Sequence, residues 1–169
     1  MGFISADSAI TDLRWFAYML ATVKHECADT WVPIVERGSS DYFRRYDADT
    51  PLGHRLGNTA DGDGFRFRGR GFVQITGRAN YGNLGRLLGM GDALVQNPNL
   101  ALDPNVAYRI MSLGMRNGSF TGKKLSDYIN GNSCDYVNAR RIINGVDQAE
   151  KVAGYAVRIK AVLESSVVQ

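Results

Sequence analysis

Apolar residues recur near the start of the chain at steps of three and four: Ile10, Leu13, Ala17, Leu20, Val23 and Cys27, with Trp15, Phe16 and Met19 widening the stripe. That period marks one face of an α-helix, and so broad a stripe predicts a helix central to the core. Asp7 or Ser8 stands ahead of it as a capping residue, and Trp31 and Pro33 lie where the pattern stops. The same period returns over Asn80 to Leu88, closed by Gly89. It returns again from Asp103-Pro104 through Val106, Ala107, Ile110 and Leu113 to Asn117-Gly118, with proline at the first helical position. Leu125 to Ile129 predicts about one turn, and Asp135 to Ile142 a further helix. Asp147-Gln148-Ala149-Glu150 reads as a capping box opening the last helix, whose stripe is Val152, Ala156, Ile159 and Leu163.

Between Gly38 and Gly71 the helical period disappears, apart from a turn at Asp41 to Tyr46. Asp61-Gly62-Asp63-Gly64 favours a tight turn, after which Phe65-Arg66-Phe67-Arg68 alternates like a strand and Gly69 to Thr76 continues extended. The prediction is a mainly α, α+β chain, with five or six helices around one small β-hairpin region. Its 169 residues, 44% apolar and 22% charged, fit a single globular domain over 1–169 without linker or repeat. Cys27 and Cys134 are too sparse for a disulfide scaffold and read as free thiols. Met1 to Asp7 lacks the cationic start and apolar run of a leader, and no run of eighteen apolar residues occurs. The expectation is a monomer kept in a cytoplasm, with no stable membrane insertion.

Net charge is +3, but eight arginines (Arg44, Arg45, Arg55, Arg66, Arg68, Arg70, Arg78 and Arg86) fall in one middle stretch. A basic face of this kind attracts anionic polymers, which include nucleic acid, acidic glycans and the bacterial envelope.

Two carboxylates stand out as candidate chemistry. Glu26 closes the apolar helix beside Val23 and Cys27, and Glu36 follows ten residues later, beside Arg37 and a Gly-Ser-Ser turn. Glycosidic cleavage needs one carboxyl that gives a proton and another that activates water. Burial and the negative end of a helix dipole favour the protonated form of the first, and solvent keeps the second ionised. His25-Glu26 also begins the zinc-protease pattern, but that needs a second His where Asp29 stands. Asp61 and Asp63 start like a calcium loop whose twelfth position is here Phe72, not Glu. No metal and no cofactor is expected. Tyr42, Tyr46 and Tyr81 are candidates for stacking on sugar faces.

Four motifs in order carry a resemblance: His25-Glu26; Glu36-Arg37-Gly38-Ser39-Ser40-Asp41-Tyr42; Gly69-Arg70-Gly71-Phe72-Val73-Gln74-Ile75-Thr76 with Asn80-Tyr81; and Ile142-Ile143-Asn144-Gly145. With them the chain, from about residue 13 onward, resembles the chitinases of glycoside hydrolase family 19, and within that family the phage-type endolysins. The resemblance implies a lysozyme-like fold of two helical lobes flanking a substrate cleft. It also implies inversion at the anomeric carbon, with Glu26 as general acid, Glu36 as general base and Thr76 holding the attacking water. His25, Gln74, Asn80, Tyr81 and Asn144 match sugar-binding positions, and Lys151 lies near a basic residue of the family's last helix. Cys27-Ala28-Asp29 where a glycine pair is common, the short interval to Glu36, and Phe72 in place of a proline all depart from the plant enzymes. They tilt the implied substrate toward peptidoglycan glycan strands, cut at the β-1,4 linkages between N-acetylmuramic acid and N-acetylglucosamine. Such an endolysin waits in the host bacterial cytoplasm and attacks the cell wall after release. A bacterial chitinase and a non-catalytic wall-binding protein are the alternatives, and a lytic transglycosylase would need no water-activating base. Nucleic acid is not expected as a partner, because the Gly-Arg-Gly piece belongs to the hydrolase pattern.

Overall fold

In chain order the computed structural model, which describes residues 7–167, runs α1 (Leu13–Glu26), β1 (Ile34–Val35), α2 (Ser40–Phe43), α3 (Pro51–Arg55), α4 (Asp63–Arg66) and β2 (Arg70–Gly71). It continues with α5 (Arg78–Leu87), α6 (Ala93–Gln96), α7 (Pro104–Asn117), α8 (Leu125–Tyr128), β3 (Ile129–Asn130), β4 (Ser133–Cys134) and α9 (Ala149–Val167). Turns of 3-10 helix cover Arg44–Tyr46, Pro98–Leu102 and Asn138–Ile142. The mainly helical, α+β class expected from the sequence is what the chain adopts. The reading of residues 1–6 as lacking a leader lies outside the described residues. None of the described helices is long and apolar enough to cross a membrane.

The chain divides into two compact units, one of residues up to Trp31 and from Met111 onward, the other of Val32–Ile110. In the first, α1 packs along α9. Phe16, Ala17, Tyr18, Met19, Ala21, Thr22 and Val23 of α1 are all buried, so the helix is enclosed on nearly every side. Met115, Leu125, Ile129, Ala139, Ile142, Val152 and Ala156 complete that core, and Tyr18 stacks on Tyr136 with ring centroids 5.8 Å apart. In the second unit, Phe43, Phe67, Ile75, Tyr81, Leu84 and Leu94 form the core. A half-buried ion pair, Arg78 Nη2 to the enclosed Asp63 Oδ1 at 2.7 Å, ties α4 to the start of α5.

Several boundaries differ from expectation, each for a local reason. Helix α1 starts at Leu13, not after Asp7 or Ser8, because the Asp12 carboxylate accepts from the Arg14 amide and its guanidinium. Asp7 instead accepts from the Ser112 hydroxyl at 2.6 Å and sits in a turn. Phe65 to Arg68 is not a strand. Gly62, at φ 79, makes the expected turn, and α4 then winds up so that the Phe67 amide donates to the Asp63 carbonyl. Asp63 anchors that turn by accepting from the amides of Thr59 and Ala60. Of Gly69 to Thr76 only Arg70–Gly71 is strand, pairing antiparallel with β1 in the register Ile34↔Gly71 and Val35↔Arg70. Phe72 to Gln74 turn back so that Ile75 bridges Arg70.

A second strand pair, the hairpin Ile129↔Cys134 and Asn130↔Ser133, goes beyond the expected elements. The helix expected over Asp135 to Ile142 is reduced to the 3-10 turn, and α9 opens one residue after Gln148 rather than directly after Asp147. Helix α7 agrees with the sequence at both ends, with Asp103 accepting from the Asn105 and Val106 amides and Gly118 at φ 75. Neither Cys27 nor Cys134 is in a disulfide.

Candidate functional site

In the first unit Glu26 is the last residue of α1. Its side chain is 20% exposed, so it is not the desolvated carboxyl that its apolar neighbours suggested. Arg140 explains why it is tolerated there: the guanidinium, only 3% exposed, donates from Nη1 to Glu26 Oε1 at 2.5 Å. Arg140 is itself held by donation from Nε to the Asp147 carbonyl at 3.0 Å. A charge at the end of an apolar helix needs a partner, and this pair fixes where the Glu26 carboxyl points.

Cys27, the next residue, is buried, and burial followed by the neighbouring Glu26 charge pushes its thiol up to about 11. It is a packing residue and not a nucleophile. His25 is half-buried on the same turn. Asn144 is exposed and uses its carbonyl oxygen locally, accepting from the Gly145 amide at 2.9 Å. Lys151 is exposed near the start of α9.

In the second unit Glu36 follows β1, and backbone and side chain both hold it to Gly69. The Glu36 amide donates to the Gly69 carbonyl at 2.8 Å, and the Gly69 amide donates back to Glu36 Oε2 at 3.0 Å. The glycine is required by this approach: a Cβ at position 69 would stand 2.7 Å from Gln74 Oε1 and 3.2 Å from Glu36 Oε2. On the other carboxylate oxygen, the Tyr42 and Tyr46 hydroxyls donate over longer distances, 3.5 and 3.4 Å. Arg45 donates in turn to both of these hydroxyls and lies over the Tyr42 ring, its guanidinium carbon 3.8 Å from the centroid. A cation thus reaches the Glu36 carboxylate through two phenols, each bond polarising the next. Burial raises the Tyr46 pKa above its ordinary value and keeps that phenol a donor.

Thr76 is half-buried and donates to the Gln74 carbonyl at 3.3 Å. Gln74 stands at φ 50 and spends its amide protons on the carbonyls of Ile34 and Gly71. Asn80 is exposed and donates to the Thr76 carbonyl at 2.7 Å. Tyr81 corrects the sequence reading. It is fully buried, packs on Phe67, and bonds through its hydroxyl to Arg70 and the Arg68 carbonyl, so it is a core residue with no face for a sugar.

Glu36, Gly69, Gln74, Thr76 and Asn80 all lie in the second unit, and Glu26, His25, Asn144 and Lys151 in the first. Arg140 and Arg45 are the residues that sequence reasoning missed. For Arg140 the available signal was the unpaired carboxylate at the end of α1; for Arg45 it was the Tyr42 to Tyr46 cluster, since guanidinium stacks on aromatic faces.

No protein-family model and no curated protein sequence matches the chain. Solved structures do. A bacterial family 19 chitinase superposes with a TM-score of 0.68 at 24% identity, over 96% of this chain and 79% of that one. Chitinase C from Streptomyces griseus HUT6037 superposes with a TM-score of 0.64 at 20% identity, over 88% of this chain and 60% of that one. A variant of chitinase C gives 0.57 at 18% identity, over 88% and 73%. At these identities the likeness is one of fold: the chain has the fold of the solved family 19 chitinases.

Proposed function

We propose that the chain is an inverting glycoside hydrolase of peptidoglycan, an endolysin of the phage type. The single observation that carries the reading is the Glu36 carboxylate: anchored by the Gly69 amide, contacted by two phenols and still partly open to solvent. Hydrogen bonds of that kind hold a carboxylate in one orientation, as a base must be held. The fold shared with the chitinases and the four motifs support the same assignment.

In the proposed reaction Glu26, the ion-pair partner of Arg140 in the free enzyme, first takes a proton from solvent and then gives it to the glycosidic oxygen as the bond from that oxygen to the anomeric carbon breaks. Glu36 takes a proton from a water whose oxygen bonds to that carbon from the opposite face, steadied by the Thr76 hydroxyl. One water is consumed, and both carboxyls return to their starting forms by exchange with solvent. Arg140 balances the charge left on Glu26 when its proton departs. The enzyme would act on the wall after release from the host cytoplasm.

Mass analysis of purified peptidoglycan digested by wild type, Glu26→Gln and Glu36→Gln tests the reading. Wild type should release reducing muropeptides whose masses sum to that of the strand plus one water per bond cut, and both variants should lose at least a hundredfold, roughly the contribution of a positioned acid or base. Anhydro products would make the protein a lytic transglycosylase. Binding without product, unaffected by Glu26→Gln, would leave only a wall-binding module. The likeness to chitinases favours a second reading, a bacterial chitinase, and release of reducing ends from colloidal chitin in preference to peptidoglycan would establish it.

A further inference from the structure

Beside the Glu36 anchor the second unit carries a groove of about 430 Å³ lined by Phe65, Arg66, Arg68, Arg70, Gln96 and Asn99 among others, with no carboxylate in its lining. Its three guanidiniums are fixed from behind. Arg70, buried, donates from Nε to Asn99 Oδ1 at 3.0 Å and from Nη1 to the Arg66 and Arg68 carbonyls. Arg66 donates from Nη2 to the Val95 and Gln96 carbonyls at 3.1 and 3.2 Å. Arg68 donates from Nη1 to the Phe65 carbonyl, and its guanidinium carbon lies 4.0 Å from the centre of the Phe65 ring, which is 43% exposed. Among the described residues no acid forms an ion pair with Arg66, Arg68 or Arg70, whereas Arg78 and Arg86 each have one.

Like charges held together without a counterion form a ready site for an anion, and stacked, pre-oriented guanidiniums pay little ordering entropy to bind one. Burial, then the charge of Arg70, lowers the Arg68 pKa from its ordinary value, a strain that an arriving anion would relieve. The charge of Glu36, whose Gly69 anchor is the next residue in the chain, acts on Arg68 in the opposite sense.

We infer that this groove receives a free carboxylate of the peptide stem carried on alternate sugars of peptidoglycan. The inference rests on the hydrolase reading and deepens it. Chitin is uncharged, so a cationic groove next to the base gives no advantage on it, while each stem-bearing sugar of peptidoglycan offers an acidic peptide within a residue of the scissile bond. The groove is therefore the feature of this chain that separates the two substrates.

Calorimetric binding of a disaccharide–peptide product, its peptide-free disaccharide with the lactyl carboxyl capped as the amide, and the same product with its stem carboxylates methyl-esterified tests this without turnover. Wild type should bind the free-acid product about tenfold more tightly than either ligand without a free carboxylate, the equivalent of one charge-assisted hydrogen bond. Arg68→Gln and Arg66→Gln should each reduce that preference, and Arg68→Lys should retain part of it. Equal binding of all three ligands by wild type, or equal weakening of all three by the variants, overturns the inference. Because the ester comparison uses the unaltered protein, it stands even where a variant folds poorly. Preference for the acid in a protein that cuts no wall would overturn the hydrolase reading and leave the groove. Wall cleavage without the preference would overturn the groove alone.

Discussion

Replacing Glu26 by glutamine should destabilise the protein, although removing a charge from the end of an apolar helix would ordinarily be expected to help. The reason is Arg140, whose guanidinium is only 3% exposed and has Glu26 as its counterion at 2.5 Å. Opposite unit charges 4 Å apart attract by about 4 kcal/mol at an effective dielectric of 20. Water reaches Glu26, which is 20% exposed, and offsets part of this. Glutamine keeps an acceptor for the Arg140 proton but not the charge, so the net cost should be about 1–3 kcal/mol. For a chain of this size each kcal/mol lowers the melting temperature by about 2–4 °C, so a fall of roughly 2–12 °C is expected by calorimetry or circular dichroism. Glu36→Gln is the control: its partners are neutral donors, the Gly69 amide and two phenols, so it should lose about 1 kcal/mol or less. A Glu26→Gln protein as stable as wild type, or one less affected than Glu36→Gln, would refute the reasoning that Arg140 depends on that carboxylate.

Three further perturbations have definite outcomes. Gly69→Ala inserts a methyl 3.2 Å from Glu36 Oε2 and should cut kcat about ten- to a hundredfold by displacing the carboxylate, read as turnover of soluble glycan fragments. Burial would raise the Asp63 carboxyl, but its bonds from Arg78 and from the Thr59 and Ala60 amides outweigh that and hold it below its ordinary value. Its stabilisation is therefore present above the unfolded carboxyl's pKa of about 3.9 and is lost as pH falls through the lower folded one. Asp63→Asn should accordingly cost about 2–3 kcal/mol at pH 7, with the gap to wild type closing below about pH 4 in denaturant titrations. A thiol reagent at neutral pH should modify one cysteine of the native protein, exposed Cys134, and reach Cys27, whose thiol burial pushes up to about 11, only after unfolding.

Where an element's ends are written in side chains, the sequence was enough. Helix α7 has an aspartate before it, a proline at its first position and a glycine after it, and it runs as read. The start of α1 differs from the sequence expectation because Asp7 has an equally good cap composition but is engaged by Ser112, a contact far away in the chain. The pairing of β1 with β2 was out of reach, since two-residue strands show no period and their partners are distant in sequence. The β3–β4 hairpin was not: Gly131-Asn132, between the paired Asn130 and Ser133, is a two-residue turn signal that the surrounding helical patterns obscured.

At the candidate site the motifs point to Glu26 and Glu36, but motif matching cannot distinguish a side chain in a wall from one behind it. Tyr81 therefore looked like a sugar contact, while its ring lies in the core. Arg140 carries no motif of its own and becomes visible only when the Glu26 charge is asked for its partner.

The most direct test of the central claim, that Glu26 and Glu36 act as acid and base on one glycosidic bond, is the anomeric configuration of the first-formed product. Proton NMR should follow soluble peptidoglycan strands from the moment wild-type enzyme is added. Inversion of a β-1,4 bond requires the α-anomer to appear first and the β-anomer to grow in only by mutarotation. A β-anomer formed first, or a product with no reducing end, would contradict it.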